Sequence, residues 1–79
     1  MSQITLNPDP PVNDQQVLIC LEDATMPAKI TITIAGQTPV TVTLTKYCEY
    51  WHVPKGTQGS WVNFHDDSDQ AQDESRQIA

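Results

Sequence analysis

Trp61, Asn63 and His65 stand at alternate positions of the segment SWVNFH, and that spacing is the main chemical signal in this chain. Alternate residues of an extended strand share one face. With Val62 and Phe64 turned toward a core, an indole, a carboxamide and an imidazole would stand together on the opposite face. An exposed Trp beside Asn and His is a stacking platform with hydrogen-bonding edges, suited to a sugar ring or a protein partner. Tyr50 and His52, in EYWHV, are expected to face outward by the same alternation. The competing role for Trp61 is to cap one end of a thin core.

Other reactive side chains are fewer. Cys20, Cys48, His52, His65 and Met26 are ligand types of zinc and copper sites, but they match no short zinc motif and include no Cys-x-x-Cys pair. Their order also differs from a single-loop copper site. Asp66, Asp67, Asp69, Asp73 and Glu74 supply five of the ten acidic residues within residues 66–74. Calcium favours such oxygen ligands, yet the segment lacks the glycine and regular spacing of the helical calcium loop. It is expected to be a solvated hairpin turn, with calcium at Asp66, Asp67, Asp69 and Asp73 as the alternative and no other cofactor. With three glycines there is no phosphate-binding loop, and no Ser, Cys or Thr lies in a nucleophile motif. His65 and Asp66 are neighbours, so on a strand they point to opposite faces and form no dyad. No enzyme activity is expected.

The elements that would position these residues are strands. Ile30, Ile32 and Ile34 alternate with Thr31 and Thr33 in AKITITIAG, and Val40, Val42 and Leu44 alternate with threonines in PVTVTLT. Gly36, Gln37, Thr38 and Pro39 between them supply turn chemistry. This predicts a hairpin with one buried face and one threonine face. Shorter alternating runs surround it: Ile4 and Leu6, QQVLICL, EYWHV, SWVNFH and ESRQIA. Prolines in NPDPP and at Pro54 interrupt ladder hydrogen bonds. No segment carries a helical period.

A chain of 79 residues is expected to form one domain over residues 1–79, with a core thin enough to need added support. Its charge of −6 comes with only four scattered basic residues, Lys29, Lys46, Lys55 and Arg76. Phosphate backbones and anionic membranes attract clustered Lys and Arg, so nucleic acid is not an expected partner. No apolar run has the length of a membrane span, so no membrane insertion is expected.

Seven short strands divided by NPDPP, EDATMP, GQTP, the stretch around Lys46, PKGTQG and DDSDQAQD resemble an immunoglobulin-like sandwich. WHVPKGTQGS is similar to the V-P-x-G exit of many bacterial modules of that class. WVNFHDDSDQAQDESRQIA resembles their last hairpin, where an aromatic strand meets an Asp-rich turn and a Ser-containing final strand. The fold implied is an all-β, seven-stranded antiparallel immunoglobulin-like sandwich of bacterial or phage type. Neither tryptophan occupies the antibody core position, and the cysteines fall in the second and fifth strands rather than the second and sixth, so antibody function is not carried over. The resemblance makes the second and fifth strands antiparallel neighbours, which would set Cys20 beside Cys48 on the outer face. A disulfide there would stabilise by about 3–4 kcal/mol and imply an oxidising compartment, whereas the alternative is a pair of reduced thiols.

The function expected is that of a non-catalytic structural or interaction module, a spacer or adhesive unit of a surface, secreted or virion protein. The alternative is a small carbohydrate-binding module using Trp61, Asn63 and His65, with Tyr50. The partner would be a protein or a carbohydrate, and the oligomeric state is open. MSQITLNPDP lacks the basic start and apolar run of a signal peptide. An extracellular, cell-surface or virion location therefore fits a domain excised from a longer protein, or a virion component released by lysis.

Overall fold

Alternating apolar residues need an interior on one side only, and two sheets facing each other supply it. The computed structural model describes residues 3–67 and 73–79. Within them the chain forms β1 (Gln3–Asn7), β2 (Gln16–Glu22), β3 (Ala28–Ile34), β4 (Val40–Leu44), β5 (Cys48–His52), β6 (Trp61–Asp66) and β7 (Asp73–Gln77). They make a three-stranded sheet in the order β1-β2-β5 and a four-stranded sheet in the order β4-β3-β6-β7. Every adjacent pair is antiparallel. The strands anticipated from the alternation are observed, and so is the all-β, seven-stranded antiparallel sandwich that the resemblance implied.

The core lies between the sheets. The three-stranded sheet contributes Ile4, Leu6, Val17, Ile19 and Leu21, with Val53 just after β5. From the four-stranded sheet come Ala28, Ile30, Ile32, Ile34, Leu44, Val62 and Phe64, closed by Ile78 after β7. Trp51 of β5 meets Phe64 of β6 edge to face, with ring centroids 6.2 Å apart, and so ties one sheet to the other.

The β3–β4 turn uses Gly36 at φ +82°, a left-handed conformation that a side chain would disfavour, and Gln37 N–H closes it on the Ile34 carbonyl at 2.9 Å. Loops at one end are stitched together by a buried threonine. Thr57 N–H donates to Asn13 Oδ1 at 2.8 Å, and Thr57 Oγ1 donates to the Pro54 carbonyl at 2.7 Å.

Two details depart from the sequence reading. The apolar face of β4 is buried only at Leu44; Val42 is half-buried and Val40 is 48 % exposed. β4 is an edge strand, with β3 as its neighbour on one side and, among the described residues, none on the other to cover Val40. Asp66 is the other departure. Expected in a solvated turn, it is the last residue of β6 and fully buried.

Candidate binding face

Among the described residues fourteen apolar side chains turn into the core, which leaves each sheet an outer face. That of the four-stranded sheet centres on β6, where Val62, Phe64 and Asp66 point in and Trp61, Asn63 and His65 point out. The strand is interior to its sheet, so both flanks add to the row. Trp61 lies opposite Gln77 of β7. Asn63 lies between Thr33 of β3 and Ser75 of β7, and His65 between Thr31 and Asp73. From Trp61 to His65 the row spans about 13 Å at strand spacing.

Its two ends differ chemically. Trp61 is 58 % exposed, and its own carbonyl is held by Ala35 N–H at 2.9 Å. In the middle Asn63 Nδ2 donates to Ser75 Oγ at 3.0 Å, a bond that uses one of the amide's donors and fixes its plane. Gln77 Nε2 donates to the Gly59 carbonyl at 3.0 Å. Around the indole the side chains are thus neutral and hydrogen-bonding.

The far end is charged. His65 Nδ1 bonds the Asp73 carboxylate, and Nε2 lies 3.6 Å from Asp67 Oδ1. Thr31 Oγ1 donates to the other Asp67 oxygen at 2.7 Å. The bond to Asp73 raises the His65 pKa above the ordinary histidine value; the charges of Asp73, Asp67 and Asp66 add to the shift and partial desolvation opposes it.

The remaining predicted site residues lie elsewhere. Tyr50 is 65 % exposed but belongs to β5, on the outer face of the opposite sheet beside Leu18. It cannot share a ligand with Trp61 across the thickness of the sandwich. His52 bonds Asp14 Oδ1 at 2.9 Å on that same far side. Of the acidic residues, Asp66 points into the core, Asp67 and Asp73 flank His65, and Asp69 lies outside the described residues. Among the described residues no three His, Cys, Asp or Glu side chains are grouped to hold a metal ion. Cys20 and Cys48, opposite each other on β2 and β5, form a disulfide.

Sequence reading missed the ion pairs of Arg76, whose Nε lies 2.7 Å from Asp9 Oδ1 and whose Nη2 lies 3.1 Å from Glu74 Oε2. No local pattern marks a contact that joins β7 to the β1–β2 loop. The burial of Asp66, by contrast, was available: extending the alternation of Val62 and Phe64 by one step places it inward.

Comparison with known proteins finds no matching family model, no matching curated protein and no matching solved structure.

Proposed function

We propose that this chain is a non-catalytic interaction module of the immunoglobulin-like type, presenting the outer face of its four-stranded sheet to a partner. The observation that carries the reading is Trp61, 58 % exposed and on the same outer face of β6 as Asn63 and His65. A large aromatic ring left in water on a rigid interior strand offers contact area with little ordering cost on binding. The strand order, β1-β2-β5 against β4-β3-β6-β7, supports the immunoglobulin-like assignment. The disulfide fits an oxidising compartment, and with it a surface, secreted or virion protein. His65 has a carboxylate at each ring nitrogen, an arrangement that favours a fixed imidazolium over activation of a nucleophile.

A carbohydrate is the second reading, favoured by the neutral surround of the indole. Asn63, Ser75, Gln77 and Thr33 give amides and hydroxyls beside an apolar ring, which matches the two kinds of surface on a neutral sugar. The test is an NMR titration with neutral oligosaccharides, following the indole N–H signals. Saturable shifts at Trp61, lost in Trp61→Ala while the melting temperature stays within about 4 °C, are expected for this reading. A spectrum that does not move removes the carbohydrate and leaves a protein partner. If Trp61→Ala unfolds the domain, the indole is structural and the binding-face proposal falls.

A further inference from the structure

A sandwich of two open sheets has four edge strands, and each is a template for pairing with another chain unless something blocks it. Three of the edges here are blocked. β1 runs directly into Pro8, Pro10 and Pro11, and its apolar residues Ile4 and Leu6 are buried. β5 carries Glu49 and His52, and its Cys48 is tied to β2. On β7, Asp73, Glu74 and Arg76 occupy three of five positions.

The fourth edge, β4, is less guarded: Pro39 precedes it, as Pro8 follows β1, but nothing charged or covalently tied lies within the strand. Its sequence VTVTL contains no charge and no proline, and its register with β3 runs without a bulge from Val40 opposite Ile32 to Leu44 opposite Ala28. It is also the edge whose apolar face is unfinished, with Val40 48 % exposed and Val42 half-buried.

We propose that β4 pairs antiparallel with β4 of a second copy of this chain, joining two four-stranded sheets into one continuous sheet. The strand is self-complementary about Val42. A two-fold axis there sets Val42 against Val42 of the second copy, Thr41 against Thr43, and Val40 against Leu44. Opposed residues of antiparallel strands point to the same side, so valine and leucine meet on the core side and threonines meet on the outer side. This is the isologous contact that a closed dimer requires. Charge permits the same place: two chains of −6 repel, and β4, like β1, carries no charged residue, so approach there costs less than at β5 or β7.

The test is sedimentation equilibrium of the intact chain from micromolar to millimolar concentration. The weight-average mass is expected to rise from 8.8 kDa toward twice that value. Thr41 and Thr43 are exposed, so T41K/T43K should fold normally while placing like charges directly opposite each other across the two-fold axis. Its dimer dissociation constant should rise by at least about tenfold. Mixing it with T41E/T43E should restore association as a heterodimer, because each Lys then faces a Glu. A wild-type mass that stays monomeric at millimolar concentration overturns the proposal. So does a T41K/T43K variant that dimerises as well as wild type, or a Lys and Glu mixture that fails to associate.

Discussion

His65 shows how a single side chain on an outer face can report on the structure around it. Its ring joins paired strands, with Asp67 just after β6 and Asp73 at the start of β7. Because its folded pKa is raised, His65 contributes stability that is fully present below the unfolded value of about 6.5. That contribution fades as pH rises through the higher folded value. The melting temperature should therefore decline as pH increases above about 6.5, and His65→Gln should flatten the decline. A slope that survives in His65→Gln would assign it to another group. Trp61 and Asp66 mark the opposite outcomes of alternation: one places an indole in water, the other a carboxylate in the core.

At the scale of elements, β6 carries most of the molecule's identity. It is interior to its sheet, and it supplies both the core ring Phe64 and the outward row. Phe64 is fully buried and packs on Trp51 of the opposite sheet, so Phe64→Ala removes a contact between layers as well as apolar area. A loss of about 3–5 kcal/mol is expected, measured as a lower urea midpoint. The hairpin β3–β4 was legible from its spacing, including the glycine at its turn. The exposure of Val40 was not, because alternation records which way a residue points and not whether anything lies there to cover it. Likewise Tyr50 and Trp61 carry the same outward signal, yet they occupy different sheets. Strand order alone separates them.

For the whole molecule, a thin core makes the disulfide a large share of the stability. At roughly 0.05–0.15 kcal/mol per residue the domain has only about 4–12 kcal/mol in total. Cys20 and Cys48 are 28 residues apart, and closing that loop is worth about 3–4 kcal/mol in the chain-entropy account. Reduction, or Cys20→Ser with Cys48→Ser, should lower the melting temperature by more than about 10 °C. A smaller change would mean that the sheets hold without the link. The β4 pairing would also act at this scale. In a joined sheet the two Trp61 rows would lie five strand spacings apart, about 24 Å, facing the same way. Two weak sites so placed can bind a repeated ligand with avidity.

Period two is a property of neighbours in the chain, so the strands, their inward and outward residues and the polar turns could all be read in one dimension. The row Trp61, Asn63, His65 belongs to that class, and so does the outward direction of both cysteines. Pairing is different, since it depends on which strands lie side by side after the chain has crossed between layers. Only the tertiary structure decided that Arg76 meets Asp9, that Thr31 and Asp73 frame His65, and that Tyr50 stands on the far sheet. Edges are decided there as well. A strand's sequence prescribes two faces, but whether its open side meets water or a neighbour is set by its place in the sheet.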